Sequence, residues 1–156
     1  MRVKNKKTIV LLVVTSCVLL AYWLWLSLRP VEIIAVHQRN NYSDVLVRSF
    51  PPTDKGKIKW WLENKNMLKE KYGIPKPDSG YDGFFGVIFW YFGDGYKETD
   101  GYDNLCFSDM KPPINCIEKD KAFTVWNDRS KHILFGVNDG FYRTKENGEM
   151  VKIKDE

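Results

Sequence analysis

The spacing of apolar and polar positions changes three times along the chain, and each change predicts a different kind of element. The first stretch, Thr8–Leu28 (TIVLLVVTSCVLLAYWLWLSL), is twenty-one residues without a charge. As a helix rising about 1.5 Å per residue it is roughly 31 Å long, the thickness of a bilayer's hydrocarbon core. Arg2, Lys4, Lys6 and Lys7 precede it and Arg29 alone follows closely. That asymmetry places residues 1–7 in the cytoplasm and sends the rest across. Tyr22, Trp23 and Trp25 near the far end suit the membrane–water boundary. The expected organisation is a basic stub over residues 1–7, a span over 8–28 and an exported domain over 31–156.

After Pro30 the period becomes that of strands. Val31–His37 and Asp44–Ser49 read as a pair of β-branched runs around a polar turn at Gln38–Asn41. Phe50-Pro51-Pro52 breaks the chain, and Thr53 or Asp54 can cap a helix running to about Tyr72. At 100° per residue Ile58, Trp61, Leu62, Leu68 and Tyr72 form one stripe within about 120° of arc, the face expected to meet the core. Lys57, Lys59, Lys65, Lys69 and Lys71, with Glu63 and Glu70, fill most of the remainder. Gly73 is a natural stop, and Pro75 and Pro77 prevent a restart. Trp60 and Met67 fall outside the stripe, seven positions apart on the opposite face. Such a pair is either covered or singly exposed, or it is a partner contact, since Trp is enriched at binding hot spots.

Beyond Tyr81 the punctuation is Asp82-Gly83, Asp94-Gly95, Asp100-Gly101, Asp139-Gly140 and Asn147-Gly148, each suited to a tight turn. Phe84–Phe92 (FFGVIFWYF) is apolar on both faces, which predicts a central strand. Tyr96-Lys97 begins its return, and Tyr102–Phe107, Ala122–Trp126, His132–Val137, Phe141–Thr144 and Met150–Ile153 complete an expected antiparallel set. The fold class predicted is α+β: a transmembrane helix, then a small antiparallel-sheet domain with one main helix packed on a face.

Charge alters the picture once it is divided by segment. The chain carries 24 basic and 20 acidic side chains. Five of the basic ones lie before residue 30, which leaves 19 against 20 beyond it. The exported part is therefore close to neutral, and the basic excess that a nucleic-acid surface needs is absent.

Candidate chemistry is sparse. In an oxidising compartment Cys106 and Cys116 are expected to pair across a loop turned by Pro112-Pro113. Val14-Thr15-Ser16-Cys17 has the form of a bacterial lipobox. The chain stays apolar for eleven residues beyond it, however, so Cys17 reads as a membrane-buried thiol with lipidation as the alternative. A cleaved signal peptide is disfavoured by the length of the apolar run and by Arg29-Pro30 after it. Asp94, Glu98, Asp100, Asp103 and Asp109 crowd together without the ligand spacing of a calcium loop, and no zinc spacing occurs. GxSxG, HExxH, P-loop and dinucleotide fingerprints are all missing. His37 and His132 are the only histidines. His37 has no triad partners in the sequence and reads as a strand residue. No catalytic residue, cofactor or small-molecule substrate is expected. The aromatic run Phe84, Phe85, Phe89, Trp90, Tyr91 and Phe92 reads as core on one face and, if nothing covers the other, as a binding surface.

The segments WLSLRPVEIIAVHQ, SDVLVRSFP, TDKGKIKWWLENKNMLKEKYGIPKP, VIFWYFGDGYK, LCFSDMK, NCIEK and VNDGFYR, in that order, resemble a family of small enterobacterial membrane proteins with no assigned function. The resemblance implies a single-span inner-membrane protein of Gram-negative bacteria with its C-terminal domain in the periplasm; it implies no catalytic residues. The leading functional expectation is a non-enzymatic protein-binding module such as an immunity protein against a delivered toxin, with Trp60, Met67 and Trp90 as candidate partner contacts. The alternatives are a structural or accessory subunit of an envelope complex and, more remotely, a cryptic hydrolase.

Overall fold

The structure, a computed structural model, describes residues 2–80 and 83–154. The chain divides into two units, Met1–Pro30 and Val31–Glu156. The first is a single helix, α1 (Arg2–Leu28). Its Asn5–Leu28 portion is long and apolar enough to cross a membrane, with a mean hydropathy of 2.4 and none of that window buried by protein. The Thr15 and Ser27 hydroxyls donate to the Leu11 and Trp23 carbonyls at 2.9 Å. These two hydroxyls thereby find acceptors within the helix itself, as suits a lipid environment.

The second unit is a seven-stranded sheet with one helix on it and a small two-stranded sheet beside it. In chain order the elements are β1 (Glu32–Arg39), β2 (Tyr42–Arg48), α2 (Asp54–Tyr72), β3 (Gly86–Tyr91), β4 (Asn104–Cys106), β5 (Cys116–Glu118), β6 (Lys121–Asn127), β7 (Ile133–Val137), β8 (Gly140–Thr144) and β9 (Met150–Ile153). The main sheet runs β1-β2-β3-β6-β7-β8-β9. β3 is central, as its two apolar faces predict. One pairing departs from the expected antiparallel set: β2 and β3 are parallel. The reason lies in the connection. Parallel neighbours need a crossover of a dozen or more residues, and the segment holding α2 supplies it. Tyr96-Lys97 is not a return strand in this sheet; Lys97 makes one isolated bridge to Cys116. The turn expected at Asp82-Gly83 falls partly outside the described residues.

Local chemistry sets the ends of α2. The Thr53 side chain accepts a hydrogen bond from the Gly56 amide at 3.0 Å. Gly73, in the left-handed region at φ 68°, returns its amide to the Lys69 carbonyl and closes the helix. An N-cap of this kind stabilises a helix by about 1 kcal/mol. The stripe Ile58, Trp61 and Leu68 is buried against one sheet face, whose own contributions are Val45, Val47, Val87, Phe89, Phe123, Val125 and Phe135. Lys57, expected on the polar face, is only 2 % exposed; a long methylene stem can be covered where a short polar side chain cannot. Trp60, outside the stripe, takes the covered alternative. It is half-buried, with its ring 5.3 Å from Phe50 and 5.7 Å from Phe89, because Phe50 approaches the flank of the helix that periodicity alone leaves bare. Leu62, expected within the stripe, is 40 % exposed.

Candidate functional site

The alternation of each strand decides what the opposite sheet face carries. Following the cross-strand registers, that face presents Tyr42, Asp44 and Leu46 on β2, then Gly86, Ile88 and Trp90 on β3. It continues with Thr124 and Trp126 on β6, and Leu134 and Gly136 on β7. Phe141 and Arg143 on β8, then Val151 and Ile153 on β9, complete it. The two halves of this face have different fates.

Where β1–β3 carry Ala35, His37, Leu46 and Trp90 the face is covered. β4 and β5 pair antiparallel, and Cys106 and Cys116, opposite one another in that ladder, are joined by a disulfide. Phe107 and Ile117 from this hairpin bury Leu46 and Trp90 in a second apolar cluster. Polar contacts fix the cover in place. His37, 6 % exposed on β1, has Nδ1 2.7 and 2.9 Å from the two carboxylate oxygens of Asp109 and Nε2 2.9 Å from the Tyr96 hydroxyl. An ionised carboxylate only accepts, so Nδ1 donates to it. Burial, reinforced by the nearby Asp109 charge, raises the Tyr96 hydroxyl above its ordinary pKa. Beneath this layer the fully buried Asp44 accepts from the Trp90 indole N–H and from Arg39 Nε, both at 2.8 Å. Every member of these networks is engaged by another. As arranged, they staple the hairpin to the sheet and present no free nucleophile–base pair.

Over β6–β9, and at the Tyr42 and Gly86 ends of β2 and β3, the face is open. It holds a trough of about 440 Å³. One wall is the Tyr42–Phe84 ring pair, with centroids 5.8 Å apart, and the other is Trp126–Phe141, 5.6 Å apart and edge-on. Two glycines make these walls possible. A Cβ on Gly86 would stand 2.7 Å from the Tyr42 ring, and one on Gly136 3.2 Å from that of Trp126. Because neither position carries a Cβ, the aromatic rings lie down on the sheet itself. Tyr42 and Phe141 remain 41 % and 44 % exposed. In the floor, the Thr124 hydroxyl is the one buried side-chain polar atom among the described residues without a hydrogen-bond partner. Lys121 and Asn138 stand at the rim. No carboxylate lines the trough.

The residues nominated from sequence distribute differently. Trp90, a candidate partner contact, is 6 % exposed beneath the hairpin, its N–H committed to Asp44. Trp60 serves the core packing described above. Met67 lies on the outer side of α2, 37 % exposed. These three do not assemble into one surface. The residues that do assemble, Tyr42, Trp126 and Phe141, had one signal in the sequence: glycines inside strand-like runs, at Gly86 and Gly136, which mark close approach by another group. Among the described residues no group of three His, Cys, Asp or Glu side chains is placed to hold a metal ion.

Residues 2–154 match the family described as "Enterobacterial putative membrane protein (DUF943)". The chain belongs to that family, whose function is unknown. No curated protein and no solved structure matches it.

Proposed function

We propose that this family member is a single-span inner-membrane protein whose domain lies in the periplasm and binds another protein without catalysing a reaction, in the manner of an immunity protein that occludes a delivered toxin. The observation that carries this reading is the uncovered half of the second sheet face. One half of an apolar face is sealed by a disulfide-braced hairpin, and the other is left open with exposed aromatic residues. An exposed apolar surface of this kind marks an interaction site. The orientation is supported by the four basic residues that precede the apolar run Thr8–Leu28 and the absence of acidic ones there. The Cys106–Cys116 bridge supports an oxidising compartment. The immunity role is drawn by analogy with other small anchored periplasmic proteins.

Two experiments test it. A reporter fused at the C-terminus should be active only if exported; activity of a cytoplasmic reporter overturns the topology. Full-length tagged protein, cross-linked in cells expressing the neighbouring genes, should retain a defined protein that Phe141→Asp releases while the fold persists. Retention of nothing, or of the same partner by Phe141→Asp, counts against the open face as the binding surface.

A further inference from the structure

We infer that the trough receives an acidic segment of a partner protein, with a large apolar side chain seated between Tyr42 and Trp126 and carboxylates on either side reaching Lys121 and Arg143. This rests on the protein-binding reading above and adds the chemistry of what is bound.

Charge carries the argument. The domain beyond residue 29 has 19 basic and 20 acidic side chains, yet the open face of β6–β9 has no acidic residue in its registers. Arg143 stands on that face and is exposed; Lys121, also exposed, stands at the rim. Neither forms an ion pair among the described residues. Three nearby carboxylates are already paired, Asp128 with His132, Asp139 with Lys152 and Glu149 with Lys145; Glu146, which shares a separate hollow with Arg143, and Asp120, beside Lys121 in the chain, form no ion pair with either cation and stand outside the trough. A basic partner would meet repulsion here. A neutral one would desolvate two cations with nothing in return, whereas an acidic one complements both.

The geometry sets the spacing. Arg143 lies in the Trp126 row, two strands away across β7. Lys121 lies five positions along β6 from Trp126. At about 4.8 Å between strands and 3.3 Å per residue, the two Cα atoms are roughly 19 Å apart. An extended segment covers that distance in about six residues. The matching ligand therefore has two carboxylates about that far apart with a bulky apolar residue between them. The exposed Tyr42 and Phe141 rings can close on that residue as an anchor in a pocket.

The test pans a displayed library of random peptides against the full-length protein in nanodiscs. The expected winners carry Asp or Glu flanking a large apolar residue. They should bind the Lys121→Glu, Arg143→Glu double variant roughly tenfold or more weakly. The same double variant, panned afresh, should select Lys- or Arg-flanked peptides, a gain that an unfolded protein cannot show. Neutral or basic winners on the natural chain, equal binding of the acidic winners to the charge-reversed variant, or no enrichment at all would each overturn the assignment. A cellular partner retained undiminished by the double variant but released by Phe141→Asp would leave the protein-binding reading standing and remove only the acidic chemistry.

Discussion

The imidazole of His37 lies flat against Phe107, ring centroids 3.8 Å apart and planes inclined by 13°. One residue belongs to the first strand of the main sheet and the other immediately follows Cys106 in the hairpin, so this stack joins two sheets that share no ladder. With Asp109 and Tyr96 holding the two ring nitrogens, the imidazole acts as the pin of the cover. His37→Ala removes the stack, two hydrogen bonds and a buried ring together. It should cost about 2–4 kcal/mol in urea unfolding. Asp109→Ala should cost distinctly less, because its side chain is half exposed and water can replace it. Equal losses for the two variants would contradict the pin.

The disulfide closes a ten-residue separation. In the chain-entropy account, removing a loop of this size costs about 3 kcal/mol. Cys106→Ser paired with Cys116→Ser should lower stability by that order. It should also move Trp90 emission to longer wavelength, because the hairpin is what keeps water from Leu46 and Trp90. A loss of stability with unchanged Trp90 emission would mean that the cover stays in place without its bridge.

Asp44 and Trp90 should behave as one unit. Trp90→Phe leaves a buried carboxylate short of a donor, and Asp44→Leu leaves a buried indole N–H short of an acceptor. Each should cost about 1–3 kcal/mol. The double variant should cost less than the sum, because neither orphan remains. Additive losses measured by thermal unfolding would refute the coupling.

At the β7–β8 turn, hydrogen bonds from the Lys152 ammonium and the Tyr142 hydroxyl hold the Asp139 carboxyl below its ordinary pKa of 3.8. A depressed folded value means that the contribution is present above the unfolded pKa and fades as pH falls through the folded one. Carboxyl-carbon NMR titration should place the Asp139 midpoint below that ordinary value. In Lys152→Ala it should rise toward it. A midpoint at or above the ordinary value in the natural chain would show that the ion pair is not formed in solution.

Gly86 makes room for the Tyr42 ring. Gly86→Ala places a methyl group 2.7 Å from that ring, which must then swing out from the trough wall. The expected cost is about 1 kcal/mol. In a Tyr42→Ala background, where the ring is gone, the same alanine should be neutral or mildly stabilising. If Gly86→Ala costs the same in both backgrounds, some contact other than Tyr42 requires the glycine.

Much of this architecture follows from the sequence by itself. An uncharged run from Thr8 to Leu28 can be only an apolar helix. Thr53 and Gly73 mark the ends of α2 because a hydroxyl cap and a left-handed glycine act within one turn of chain. The doubly apolar Phe84–Phe92 segment places β3 in the interior of the sheet, with a strand on either side, and two cysteines around a Pro-Pro turn become the bridge they promise. Each of these is local chemistry, complete within a few residues. What only the tertiary structure decided lies in contacts far apart in sequence: β2 beside β3 in parallel, Trp60 drawn inward by Phe50, His37 held between Asp109 and Tyr96, Trp90 sealed while Trp126 and Phe141 stay open. Periodicity shows that a strand has two apolar faces. It does not show which neighbour covers which face, because that depends on where the β4–β5 hairpin folds back, over Leu46 and Trp90 and not over Tyr42, Trp126 and Phe141.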